Sequence, residues 1–176
     1  MSKLQHIILV LILQLSLVSF SQQVQVSYEP LKVYEDKGFI VKSFNFDGLE
    51  NYIKPQNDTI YIVNFWATWC KPCIEELPYF EKINEEYGSK NVKVILVSMD
   101  MSKQVLSRLI PFLEKNKIKS EVVLLNDVDA DAWINKVDPS WSGALPATLI
   151  YNSKKRLFFE QSFTYQSLLE QLNTFL

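Results

Sequence analysis

Cys70 and Cys73 are the only two cysteines in a chain of 176 residues. Residues three apart on a helix share a face one turn apart, so one thiolate can attack a disulfide and the other can resolve the mixed disulfide. At the start of a helix, free backbone N–H groups and the positive end of the dipole stabilise an anion. Lys71 adds a positive charge beside them. In such settings a thiol pKa drops from about 8.5 into the range of roughly 3.5–7.5, which makes Cys70 the expected nucleophile and Cys73 the resolving thiol. Pro72 removes a donor between them and fixes one φ angle. Two other uses of the pair are weaker. A structural disulfide closing so short a loop contributes only about 2 kcal/mol in the chain-entropy model, and structural zinc needs four ligands.

Little else in the chain offers chemistry. Met1–Ser21 has a basic start at Lys3, an apolar run from Ile7 to Val18 and small residues at Ser19 and Ser21, the pattern of an export signal. A helix of that run would reach roughly 18 Å, short of the ~30 Å hydrocarbon core. Its removal would take with it His6, the only histidine. Histidine general acid–base catalysis and histidine-ligated zinc then lack their residue. Gly38, Gly48, Gly88 and Gly143 are too scattered for a phosphate-cradling loop. Loss of Lys3 from 18 basic residues leaves 17 against 20 acidic, a net charge of −3, so no electrostatic reason exists to expect nucleic acid or an anionic membrane surface. The remaining 155 residues suffice for one domain with its own core.

The elements that must position the cysteines follow from periodicity. Gln22 to about Lys37 reads as a polar leader, and the domain is expected from residue 38 onward. Phe39, Val41, Phe44 and Phe46 alternate as a half-buried strand, with a short helical turn at Leu49–Ile53 before Pro55. Thr59–Trp66 is a β-branched and aromatic run without a polar break except Asn64, a central strand covered on both faces. A helix from near Cys70 to Gly88 carries the stripe Ile74, Leu77, Phe80 or Glu81, Asn84 and Tyr87, with Pro78 expected to bend it. Val92–Ser98 and Glu121–Leu125 are strands, Lys103–Asn116 a helix interrupted at Pro111, and Ala130–Val137 a short helix. Ala147–Tyr151 and Arg156–Gln161 form a hairpin, and Tyr165–Leu176 closes the chain as a helix. The alternation predicts an α/β domain, a central mixed sheet with helices on both faces.

The run Val63-Asn64-Phe65-Trp66-Ala67-Thr68-Trp69-Cys70-Lys71-Pro72-Cys73, followed later by Leu145-Pro146-Ala147-Thr148, resembles the thioredoxin superfamily. More narrowly it is similar to the TlpA/ResA-like exported thiol-disulfide oxidoreductases, over most of residues 39–176. The resemblance implies a thioredoxin-like fold with a strand–helix unit inserted after the cysteine helix. It also implies a cis bond before Pro146 that brings Leu145 beside Cys70, where an extended substrate segment can pair with exposed backbone. Glu76 stands where the TlpA-like branch carries an acid, and is expected to accept or donate a proton in exchange. Asn64 departs from the cytosolic thioredoxins, whose buried acid occupies that position, so that acid cannot be borrowed here. Peroxiredoxins share the fold but use a peroxidatic cysteine without a resolving partner three residues on.

Four tryptophans complete the expectation. Trp69 should partly shield the disulfide and offer substrates an apolar surface, and Trp66 should be core. Trp133 and Trp141 stay open between packing and lining the groove. The resemblance implies a monomeric protein of the periplasm or cell envelope that needs no metal or organic cofactor. Its partners would be protein dithiols and disulfides and a membrane electron-transfer protein. It favours a reductase, serving cytochrome c maturation; a dithiol oxidant and a peptide-binding module with incidental cysteines are the alternatives.

Overall fold

A computed structural model describes residues 29–54 and 58–176. The expected signal segment, His6 and Pro55 lie outside the described residues. Seven strands form one sheet: β1 (Lys32–Asp36), β2 (Phe39–Phe44), β3 (Ile60–Trp66), β4 (Val92–Ser98), β5 (Glu121–Leu125), β6 (Ala147–Tyr151) and β7 (Arg156–Phe159). Their order is β1-β2-β5-β4-β3-β6-β7. The inner four, β2, β5, β4 and β3, are parallel neighbours, while β1 pairs antiparallel with β2, and β6 antiparallel with β3 and β7.

Period-two alternation along β3 divides the core between the two faces. Ile60, Ile62 and Trp66 face one cluster, and Val63 and Phe65 the other. The first cluster is closed by α2 (Lys71–Tyr87), α3 (Ile110–Lys115) and α5 (Tyr165–Asn173), the second by α1 (Phe46–Tyr52) and α4 (Ala130–Val137). The expected mixed sheet covered on both faces is therefore the observed architecture.

Several elements differ from expectation, each for a local reason. The stretch read as a leader supplies β1, of which only Tyr34 is buried, so no apolar alternation marks it. A two-residue turn at Lys37 (φ 52°) and Gly38 (φ 79°) joins it to β2; both residues are left-handed, as such a hairpin requires. Phe46 belongs to α1, not to the preceding strand, because the Asn45 side chain accepts the Gly48 N–H and caps the helix there. The buried stripe of α2 is Cys73, Glu76, Leu77, Phe80 and Ile83, while Asn84 and Tyr87 sit at its half-buried margin. Helix α2 continues through Pro78, which lies on its exposed side. Pro111 does not interrupt a helix but opens α3: Ser102–Gln104 is 3₁₀ and Val105–Leu109 a π-turn, ahead of an α segment that begins where a proline is tolerated.

Phe80 is fully buried on the inner face of α2 and anchors that helix to the sheet. Replacing it with Ala should cost about 3–5 kcal/mol, read from urea unfolding; a loss below about 1 kcal/mol would remove Phe80 from the role of anchor.

Candidate active site

At the carboxyl end of β3, Ala67–Trp69 hands the chain to the first turn of α2. Cys70 is the cap residue, with extended backbone, and its Sγ accepts the N–H of Cys73 at 3.3 Å. A free first-turn donor of the helix is thus aimed at the sulfur. Pro72 occupies the first turn, where a missing N–H breaks no helical bond. The two sulfurs are joined as a disulfide. Cys73 is fully buried and Cys70 6% exposed, so Cys70 is the residue of the pair with access to solvent. Lys71, which also borders the cavity beside Cys70, is largely solvated and pairs with the exposed Glu75 at 3.8 Å.

Cys70 borders a cavity of about 560 Å³ whose other walls include Trp69, Pro72, Met99, Trp133, Trp141 and Leu145. Four predicted residues, Trp69, Cys70, Pro72 and Leu145, are thereby brought together. Trp69 is 57% exposed at the rim. Trp141 does both things that were open for it: it lines the cavity, and it is buried between Phe65 and Phe158 with its indole N–H donated to Ala144 O at 2.9 Å. Trp133 combines the same roles beside it, whereas Trp66 is wholly core.

The Leu145–Pro146 peptide is cis. Leu145 is in the cavity wall; Pro146 is buried at the start of β6, outside that wall. Glu160 clamps the loop before them, accepting the Ser142 and Ala144 N–H groups at 3.1 and 3.0 Å and also the Ser142 hydroxyl. The hydroxyl bond first, and then the backbone bonds, hold the Glu160 carboxyl below its ordinary pKa. Gly143 suits this loop because its φ is +90°, a conformation that L side chains rarely adopt, and a Cβ there would also push on Ile134 Cδ1 at 2.9 Å.

Glu76 is not a solvated first-turn acid. It is 1% exposed, on the buried face of α2 one turn beyond Cys73. Its Oε1 accepts the Asn64 amide at 3.0 Å and its Oε2 the Phe163 N–H at 2.7 Å. Asn64 also donates to Thr148 Oγ1 at 3.1 Å, its cross-strand neighbour on β6. Burial pushes the Glu76 carboxyl up to about 7, against the opposing pull of the Phe163 and Asn64 hydrogen bonds. The site therefore holds one group that can take or give a proton near neutral pH. Asn64, noted in the sequence only for the acid it replaces, proves to be that group's hydrogen-bond donor.

A second buried carboxylate, Asp100, binds the loop that carries Thr68 and escaped notice in the sequence, where the run Ser98-Met99-Asp100 at the end of β4 has no chemical signature.

A model described as the AhpC/TSA family matches residues 39–158. The chain belongs to the AhpC/TSA family. The chain is 43% identical over 49 residues to the thiol-disulfide oxidoreductase ResA of Oceanobacillus iheyensis, 28% of this chain and 26% of that protein. It is 35% identical over 63 residues to the sporulation thiol-disulfide oxidoreductase A of Bacillus subtilis, 36% of this chain and 38% of that one. These matches span well under half the length of either relative. Among solved structures, a thioredoxin-related protein from Neisseria meningitidis serogroup B superposes with a TM-score of 0.60 at 21% identity, over 70% of this chain and 89% of that one. A thiol:disulfide interchange protein of the thioredoxin family from Chlorobium tepidum gives 0.57 at 16% identity, over 83% of this chain and 94% of that one. The fold is thioredoxin-like.

Glu76 has a folded-state pKa of about 7 against an ordinary 4.5, so between those values the folded chain holds the proton more tightly than the unfolded one. Stability should then fall as pH rises from about 4.5 to about 7 and level off above, at most roughly 1.4 kcal/mol for each unit of difference. No histidine among the described residues titrates in that window. Urea midpoints at pH 5 and 7.5 should show the decline in the oxidised protein and its disappearance in Glu76→Gln; a flat or rising wild-type profile contradicts the raised pKa.

Proposed function

We propose that this chain is an exported thiol-disulfide oxidoreductase that exchanges its Cys70–Cys73 pair with protein partners. The observation that carries the reading is the placement of Cys70: it caps α2, receives the Cys73 N–H, and borders the apolar cavity that also holds Leu145. In the reduced protein the Cys70 thiolate, stabilised by the helix N-terminus, attacks a partner disulfide. One partner thiolate leaves and a mixed disulfide forms. Cys73 then loses its proton and attacks Cys70 Sγ, the second partner thiolate leaves, and the Cys70–Cys73 disulfide is closed. Two electrons have passed to the partner. Glu76, one turn from Cys73, is the group suited to take the Cys73 proton, directly or through water. Trp69, Pro72 and Leu145 form the surface against which the partner segment lies, and Pro146 sets the direction in which Leu145 presents its backbone.

Reduction is favoured over oxidation by the resemblance to TlpA/ResA-like proteins. Met1–Ser21 supports export to the periplasm or cell envelope, where a membrane dithiol protein would renew the electrons and apocytochrome c is one substrate of suitable chemistry. Among the described residues no helix is long and apolar enough to cross a membrane.

Cys70→Ser should bring exchange with a model protein disulfide down to the uncatalysed rate, while Cys73→Ala should accumulate a covalent adduct with the natural partner, visible on non-reducing gels and lost with dithiothreitol. An intact protein with neither reductase nor oxidase activity rejects the enzyme, and a peptide that binds equally well to Cys70→Ser then favours a peptide-binding module. Glu76→Gln should slow release from the mixed disulfide by about tenfold or more; release at the wild-type rate across pH 6 to 8 denies Glu76 the proton.

A further inference from the structure

Between β3 and α2 only Ala67, Thr68 and Trp69 separate the sheet from the reactive cysteine. Thr68 is held from three sides. Asp100, 3% exposed, takes its N–H on Oδ2 at 3.0 Å and its hydroxyl on Oδ1 at 2.5 Å. Ser98 secures Asp100 in turn, donating its hydroxyl to Oδ2 at 2.9 Å and accepting the Asp100 N–H at 3.1 Å. The Arg108 guanidinium, carried on the π-turn, reaches the Thr68 carbonyl at 3.4 Å. Every contact to the Asp100 side chain is a donor, so both of its oxygens are occupied as acceptors. A carboxylate is costly to bury, and here it is spent on one residue two positions before Cys70.

We propose that Asp100 is a positioning residue for the disulfide chemistry: by gripping Thr68 through backbone and side chain, it fixes where Cys70 sits against the first turn of α2. The stabilisation of a Cys70 thiolate falls off within that first turn, so a shift of the loop by a fraction of an ångström weakens it. The inference rests on the reading of Cys70 as the attacking thiol. It does not require that a partner be known.

The test reads Cys70 directly. In a Cys73→Ala background Cys70 is the only thiol of the chain, and its rate of alkylation by iodoacetamide can be followed from pH 5 to 9. Asp100→Ala should alkylate about fivefold more slowly at pH 7, with the midpoint of the profile moved upward. Asp100→Asn keeps the shape and one acceptor oxygen, enough for the Thr68 N–H, but puts an amide N–H₂ in place of the other; its neutral, partial grip should leave the rate between the parent and Asp100→Ala. Asp100→Ala that folds cooperatively yet alkylates at the parent rate and midpoint overturns the proposal. So does either variant alkylating faster than the parent, since removing a nearby negative charge eases formation of the thiolate, and charge rather than the grip on Thr68 would then govern it. Should Asp100→Ala fail to fold, Thr68→Val removes the hydroxyl arm and leaves the N–H bond; it should be slower by about twofold or more, and a parent-like rate overturns the proposal equally. These outcomes differ from failure of the proposed function, which would show as absent exchange in the intact protein with Cys70 alkylation still sensitive to Asp100.

Discussion

The first turn of α2 must be held against the carboxyl end of β3 with a sulfur at its cap, and the rest of the site is arranged around that constraint. A helix N-terminus leaves backbone N–H groups without partners, and here Cys70 Sγ receives the one from Cys73. The same geometry that satisfies the donor favours negative charge on the sulfur. It works only if the strand, the three-residue link and the helix stay in register with one another.

Two buried carboxylates secure that register from opposite directions. Glu76 reaches from α2 to Asn64 on β3 and to the backbone at Phe163, tying the helix to the sheet and to the segment before α5. Asp100, just beyond β4, holds the link itself. Their environments differ in a way that divides the labour. Glu76 accepts two hydrogen bonds in a desolvated place and is pushed up to about 7, fit for moving a proton. Asp100 is surrounded by donors on both oxygens, fit for holding a loop. The topology makes both possible: β3 lies between β4, whose end delivers Asp100, and β6, whose start delivers Leu145, Pro146 and the Thr148 that steadies Asn64.

Much of this was legible in the sequence. The strands over Val92–Ser98, Glu121–Leu125 and Ala147–Tyr151 and the helix over Ala130–Val137 coincide with the apolar runs that announce them. Thr59–Trp66 misses by one residue. Two of the misses share a cause: pattern reading treats burial as apolar. Glu76 occupies the buried stripe of α2, so counting apolar residues rotated the stripe toward Asn84 and Tyr87. Asp100 is likewise a buried polar residue and carries no motif. Strand β1 is the converse, exposing Val33 and burying Tyr34 at an edge where charged residues fill the other positions. Pro111 read as a break because no sequence signal marks a π-turn that lets an α segment start afresh.

The account stands on the Cys70–Cys73 bond being an exchangeable couple rather than a structural staple, and its reduction potential decides between them most directly. Equilibration of the full-length chain with dithiothreitol or glutathione buffers should give a single two-electron transition between roughly −270 and −120 mV. A bond that stays oxidised below about −300 mV would be a structural disulfide and would contradict the account.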